Sequence, residues 1–251
     1  MEKLSQRLQM IADNILKGET MADIGTDHGF LPIYMLLKRD CPLAIMADIN
    51  RGPLENAKKN FDISLAETGD DFRGRADFRL GSGIEVLSCG EVDTVVIAGM
   101  GGRMMIEILQ KDFEKTCSFK RYILQPRNGV GHLRHWLLEA GFVIEKELLV
   151  RELDNICNIL VVSCGNGEMR NHIVGSDWFR TFEPAPEEEF PSSLTAADAS
   201  LCIEYLAEKL EKYKRIATEI KEKAAEDDSK QKLSYVNQIA EHLERMVAKY
   251  D

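Results

Sequence analysis

The sequence predicts an α/β protein in which a mostly parallel sheet ends in an antiparallel hairpin and is followed by a C-terminal α-helical coiled-coil hairpin. Three observations predict it. Strand-like apolar runs alternate with helical patterns from residue 20 to residue 140, the order that builds a parallel sheet with helices on both faces. Two consecutive strand-like runs, Phe142–Arg151 and Cys157–Val162, have only the Asp154-Asn155 turn between them, too short for a parallel crossover. Beyond residue 200, apolar residues settle into a strict three-four spacing.

In chain order, Leu4, Leu8, Ile11, Ala12 and Ile15 recur at helical spacing, so residues 4–16 read as an amphipathic helix that Gly18 ends. The alternation then runs Thr20–Ile24 (strand), 30–38 (helix), Leu43–Asp48 (strand), 52–65 (helix), a weaker strand at Ala76–Arg79, and helix 83–88. It continues with Thr94–Ala98 (strand), 102–110 (helix), Tyr122–Gln125 (strand) and 130–140 (helix) before the hairpin at the end of the sheet. Residues 165–194 break the pattern with Glu183-Pro184-Ala185-Pro186, Glu187–Glu189 and Pro191, a linker or irregular extension. Ile203, Leu206, Leu210, Tyr213, Ala217, Ile220 and Ala224 form one seam. After a polar turn at Glu226–Lys230, Leu233, Val236, Ala240, Leu243, Val247 and Tyr250 form the second. A short loop favours packing of these helices on each other over a dimerisation zipper. The expected division is therefore residues 1–165 and residues 166–251.

The 251-residue chain is long enough for a full core, and no apolar run approaches the roughly 18 residues of a membrane span. The opening Met1-Glu2-Lys3 lacks the order of a signal peptide, so the expected location is cytoplasmic, without membrane contact. Six scattered cysteines with no CxxC pair read as reduced, partly buried thiols rather than bridges or a zinc site, and no metal is expected. A net charge of −10 argues mildly against a nucleic-acid partner, although a local basic face would override it.

The chemistry concentrates in residues 21–34, where a buried strand runs into Asp23-Ile24-Gly25-Thr26-Asp27-His28-Gly29 and a helix start that tolerates Pro32. Such a loop suits a nucleotide-type cofactor. It is not the GxGxxG of a dinucleotide site, since Asp27 and His28 would crowd and repel a pyrophosphate. S-adenosylmethionine carries a sulfonium and an ammonium that carboxylates favour. That donor requires an acid after the second strand for the ribose hydroxyls, a loop by the adenine and a glycine-rich turn by the sulfonium. Asp48 (followed by Ile49), Gly81-Ser82-Gly83 and Ala98-Gly99-Met100-Gly101-Gly102 take those places at successive strand ends. Taken singly they are weak, because Asp48 also suits a helix cap and Gly99 a tight turn. Together with the terminal hairpin they favour a Rossmann-like sheet of the class I methyltransferase type.

The acceptor is less legible. An Asn/Asp-Pro-Pro-aromatic motif, usual for exocyclic amines, is replaced here by Gly-Met-Gly-Gly, which is compatible with a ring nitrogen. After the fifth strand, Gln125 and Asn128 are candidates to read a base edge and Arg127 to hold a phosphate. Capping of the next helix is the bland alternative for Gln125 and Asn128, and burial in the core is the favoured one for Trp136. His28 reads as a hydrogen bonder of the cofactor loop rather than a proton acceptor.

Over residues 4–162 the chain resembles the bacterial tRNA (adenine-N1)-methyltransferases that act on adenine 22. The residues that carry the resemblance are Leu4-Ser5-Gln6-Arg7-Leu8, Asp23 through Pro32, Ile97 through Gly102, Leu124-Gln125-Pro126 and Leu133 through Leu137. It implies S-adenosylmethionine as donor, N1 of a tRNA adenine as acceptor, and closure of Arg7 over the cofactor's carboxylate. Asp23, Gly25, His28, Gly29, Asp48, Ile49, Gly81, Ser82, Gly83, Ala98, Gly99, Met100 and Gly101 then belong to the cofactor site. Gln125, Arg127 and Asn128 belong to the substrate site, with Asp27 and Asn128 as catalytic candidates and Asp27 placed to stabilise the cation formed on methylation. Ser82 stands where the family often has Asp, and Arg127 where some members have Asn. The expected partner is tRNA, bound by a monomer or weak homodimer. Two alternatives remain: a small-molecule methyltransferase whose hairpin is a lid or dimerisation arm, and a non-catalytic cofactor-binding module.

Overall fold

The computed structural model describes residues 3–38, 41–69, 72–165, 182–196, 199–223 and 227–250. Its strands are β1 (Met21–Ile24), β2 (Ala44–Asp48), β3 (Ala76–Leu80), β4 (Thr94–Met100), β5 (Arg121–Pro126), β6 (Phe142–Glu152), β7 (Asn155–Cys164) and β8 (Thr195–Ala196). They form one sheet in the order β3-β2-β1-β4-β5-β7-β6-β8. The first five pair in parallel, and β7 runs antiparallel to both β5 and β6. Every residue of β1 and β2 is buried, as central strands covered on both faces require. The strand order reverses between β1 and β4, and the carboxyl ends at such a switch point are where open α/β sheets bind ligands.

The helices are α1 (Gln6–Asn14), α2 (Phe30–Lys38), α3 (Arg51–Thr68), α4 (Gly102–Gln110), α5 (Phe113–Cys117), α6 (Val130–Glu139), α7 (Pro186–Glu189), α8 (Ala199–Lys223) and α9 (Asp227–Val247). One face of the sheet is covered by α1, α2 and α3, through residues such as Ile11, Leu36 and Phe61. The other is covered by α4 and α6, through Met105, Leu133 and Trp136, which is core as favoured above. A third core joins β6 to the antiparallel α8–α9 pair, with Leu149, Phe190, Tyr205, Leu206, Ile239 and Leu243 buried together.

The structure corrects several expectations. The β6–β7 hairpin is not the edge of the sheet, because β8 pairs in parallel with Leu148 and Leu149 of β6; two residues are too few to give a strand pattern. Helix 83–88 is instead a short 3-10 turn, Gly83–Val86, and the unanticipated α5 is capped by Asp112, whose carboxylate accepts from the Lys115 N–H at 3.0 Å. The polar turn expected at Glu226–Lys230 is already helical from Asp227. Of the segment expected to be a linker or irregular extension, the described residues from 182 onward are docked on α6: His132 bonds the Phe182 carbonyl and His135 the Glu188 carboxylate. Residues 166–181 of that segment lie outside the described residues, as do Ala224 of the first helical seam and Glu226 of the turn. The six cysteines are not all thiols, since Cys117 at the end of α5 and Cys164 at the end of β7 form a disulfide. They are 47 residues apart in sequence and meet only through the tertiary fold, with a Cα separation of 5.3 Å.

Candidate cofactor and acceptor site

The loop from β1 to α2 is shaped by its glycines. Gly25, at φ +77°, turns the chain while its N–H and that of Thr26 donate to the Ala47 carbonyl at 2.8 and 3.0 Å, locking the loop to β2. Beneath it, the buried Asp23 carboxylate accepts from the Thr26 hydroxyl at 2.9 Å, and burial pushes its pKa up to about 6. Gly29, at φ +70°, is a packing glycine, because a Cβ there would stand 3.0 Å from Cβ of Ala57 on α3. Asp27 holds a left-handed φ of +51° at the exposed tip, with its carboxylate 3.6 Å from Nε2 of His28. His28 stacks on Phe30.

A cavity of about 450 Å³ opens beside this loop. Gly25, Asp48, Ile49, Gly81, Ser82, Gly83 and Met100 all line it, so the sequence-nominated residues of four strand ends come together. Asp48 is oriented by the Asn50 N–H, which donates to Oδ1 at 2.8 Å, and its carbonyl accepts from the Gly81 N–H at 3.0 Å. Ile49, Ile84, Met104 and Ile108 give the cavity apolar walls. An acid for a diol, flat apolar walls for a purine and a bare Gly25 backbone fit an adenosyl group. A Cβ on Gly25 would sit 2.5 Å from Met100 Cε, besides adopting a strained positive φ. Gly25→Val is therefore expected to weaken S-adenosylhomocysteine binding by roughly 10- to 100-fold, measured by titration calorimetry.

A second cavity, of about 570 Å³, is lined by Arg7, Gly99, Gln125, Pro126, Arg127 and Asn128, with the β6–β7 turn, α7 and α8 on its far side. Gly99 and Met100 are consecutive, so the two cavities lie on either side of one turn. At that turn β4 shifts register against β5 between Ala98 and Met100, with Gly99 at φ +78°. The Arg127 N–H donates to the Met100 carbonyl at 2.8 Å and the Gly102 N–H to the Asn128 carbonyl at 2.9 Å, which fixes the two glycine-rich edges to each other. The Asn128 side chain lies against Gly101, where a Cβ would be 3.0 Å from its Oδ1. It does not cap α6, whose N-cap is Gly129.

Gln125 is buried, and its Oε1 accepts from Arg7 Nη1 and from the Gly99 N–H, both at 3.1 Å. Its amide donates to the Pro126 carbonyl, so this side chain ties α1 to the glycine turn. Arg7 is also paired with Glu152 at 3.5 Å. Asp27, His28 and Gly29 line neither cavity. Sequence reasoning missed Glu152, Asn158, Tyr205, Lys209 and Lys212, all of which line the second cavity. The one local signal was Asn158, a polar residue inside the apolar run of β7.

Residues 4–160 match the sequence profile of a methyltransferase domain family. The tRNA (adenine(22)-N(1))-methyltransferase of Bacillus subtilis is 36% identical over 164 residues, 65% of this chain and 66% of the length of that relative. The crystal structure of the Bacillus subtilis m1A22 tRNA methyltransferase TrmK superposes with a TM-score of 0.75 at 30% identity, covering 98% of this chain and 99% of the other. That of M. capricolum TrmK, in complex with S-adenosyl-homocysteine, gives a TM-score of 0.72 at 25% identity, covering 98% and 99%. The likeness in fold therefore extends over almost the whole length of both chains. The chain belongs to the methyltransferase domain family, in its branch of bacterial tRNA (adenine-22-N1)-methyltransferases.

Proposed function

We propose that this protein transfers the methyl group of S-adenosylmethionine to N1 of adenine 22 in tRNA, a reading carried by its end-to-end likeness to TrmK at 30% identity. When bound, S-adenosylmethionine supplies a methyl group on a positively charged sulfur, already activated for transfer. Asp48 accepts the ribose hydroxyls, Ile49 and Gly81–Gly83 flank the adenine, and Gly25 and Met100 border the space for the rest of the cofactor. Asp23 puts negative charge beneath the loop. Arg7, from the second cavity, is the candidate partner of the carboxylate end.

Neutral adenine N1 has a lone pair and no proton to lose, so the acceptor needs alignment more than a general base. The chain has to exclude water and hold the base with that lone pair facing the Gly99–Met100 turn. Asn128, which lines the acceptor cavity, is better placed for this than Asp27, which does not. The target base leaves its stack to enter, at a cost of a few kcal/mol by analogy with other base-modifying enzymes. The reading extends to a cytoplasmic enzyme that works as a monomer or weak homodimer without membrane contact; among the described residues no helix is long and apolar enough to cross a membrane.

The test is transfer of labelled methyl to unmodified bulk tRNA, with digestion and mass identification of the product nucleoside. The expected product is 1-methyladenosine, absent from a tRNA transcript whose adenine 22 is replaced by guanine. No incorporation by a protein that binds the cofactor would overturn the reading and favour a small-molecule acceptor.

A further inference from the structure

The acceptor cavity contains a buried polar group with an unmet hydrogen bond. Asn158 is 7% exposed and lines this cavity; its Oδ1 accepts from the Tyr205 hydroxyl at 2.9 Å, while Nδ2 has no partner among the described residues. A buried donor left unpaired costs about 1–3 kcal/mol, so a carboxamide in this apolar strand is unfavourable until something completes it. Its position says what that is. Leu124 of β5 faces Leu160 of β7 in an antiparallel register that, continued by two residues, sets Asn158 opposite Pro126, at the ligand edge of the sheet. Tyr205 and, further along α8, Lys209, Lys212 and Tyr213 line the same cavity, with the Lys209 ammonium 5.0 Å from the Tyr205 ring centroid. Four cations line the cavity (Arg7, Arg127, Lys209 and Lys212) against two carboxylates, Glu152 and Glu189, so it suits an anionic ligand with a flat polar face.

Resting on the tRNA reading above, we propose that Asn158, anchored by Tyr205 of the helical hairpin, selects adenine by pairing with the Hoogsteen edge of the extruded base. The carboxamide, whose Nδ2 is covered from solvent in the ligand-free protein, turns into the cavity as the base enters: Nδ2 donates to N7, and the second lone pair of Oδ1 accepts the N6–H, the bidentate match of a carboxamide to adenine. This edge leaves N1 unengaged, which the reaction demands, because a donor to N1 would occupy the attacking lone pair. Guanine presents O6 where adenine presents N6–H and sets acceptor against acceptor. Lys209 and Lys212 then face the phosphate of the same nucleotide. The helical hairpin is thus part of the acceptor site and not only a handle for the body of the tRNA.

The test uses the full chain and two ligated tRNAs that carry adenosine or 7-deazaadenosine at the target position, compared in single-turnover methylation. Loss of N7 is expected to slow the native protein by about 10- to 100-fold. Asn158→Ala is expected to be slowed by a similar factor on adenosine and to show no further loss on 7-deazaadenosine. The altered basicity of N1 in the analogue cancels when these two ratios are compared. Tyr205→Phe, which keeps the carboxamide but removes its anchor, is expected to show a penalty between the two, with S-adenosylhomocysteine affinity unchanged. Equal native rates on both tRNAs, or the same 7-deaza penalty in Asn158→Ala as in the native protein, would overturn the assignment while leaving the tRNA reading intact. Absence of 1-methyladenosine from unmodified tRNA would instead overturn the tRNA reading itself.

Discussion

Arg134→Met is expected to destabilise the protein by about 3–5 kcal/mol, and Glu147→Leu by a similar amount, because each takes from a buried charge the opposite charge that it binds through two hydrogen bonds. The side chains of Arg134 on α6 and Glu147 on β6 are 4% and 2% exposed, so water cannot take over for a lost partner. Arg134 Nε donates to Glu147 Oε2 at 3.0 Å and Nη2 to the other oxygen, a bidentate pair. Its Nη1 donates to the Glu188 carbonyl of α7, so one guanidinium joins the catalytic sheet to the segment that leads into the helical hairpin. Arg134→Met/Glu147→Leu is expected to recover most of the lost stability, since an apolar pair of similar volume avoids the desolvation of both ions. It does not restore the bond to Glu188. Glu189 and Phe190, next along the chain, line the acceptor cavity, so the double variant is expected to bind S-adenosylhomocysteine normally yet methylate tRNA more slowly. Urea unfolding midpoints check the first part and steady-state kinetics the second. Single variants within about 1 kcal/mol of the native protein would show that solvent reaches the pair after all.

That ion pair belongs to the part of the molecule that sequence could not reveal. Local patterning was enough for α2 and α4, expected at 30–38 and 102–110 and observed there, because each follows a glycine-containing turn after a buried strand. The same holds for the cofactor cavity: positive-φ positions such as Gly25 and Gly99, and an acid at the end of β2, are signals carried by single residues. Features made by two distant segments left no such trace. The Cys117–Cys164 disulfide, the parallel pairing of β8 with β6, and the docking of His132 and His135 on residues 182–188 each depend on which surfaces the fold brings together. Gln125 shows the converse. Its place at the end of β5 suggested a base reader or a helix cap, and what no local pattern announced is that its buried amide oxygen accepts from both Arg7 and Gly99, tying α1 to the glycine-rich edge while Gln125 lines the cavity. Asn158, which lines the same cavity and has an unmet donor, is one polar residue within the apolar run of β7, a pattern that does not by itself set it apart from an ordinary strand position.

Binding of S-adenosylmethionine is expected to weaken by about tenfold between about pH 8 and about pH 5, through protonation of Asp23. Burial is the main reason this carboxyl titrates at about 6 instead of 3.8; the Thr26 hydroxyl bond and the Arg7 charge pull the other way, and Asp48 and Asp27 add to the rise. A cationic ligand above the loop favours the ionised form, so affinity grows as pH rises through about 6 and levels off above it. The sign for the free protein is the opposite. Because the folded-state value lies above the unfolded one, folding favours the protonated carboxyl, and Asp23 makes the ligand-free protein progressively less stable as pH rises from about 3.8 to about 6. Across that window the thermal midpoint of the free protein should carry a falling contribution from Asp23, while the extra stabilisation by S-adenosylmethionine increases. Asp23→Asn removes the titration: it is expected to bind weakly at all pH values, with a flat profile, and to lose the falling contribution in the free protein. The measurement is a pair of thermal-shift series, with and without ligand, for both proteins. Parallel pH profiles for native and Asp23→Asn would show that the charge beneath the Gly25 loop plays no part in holding the methyl donor, and would move the search to Asp48, the other buried acid at the same edge of the sheet.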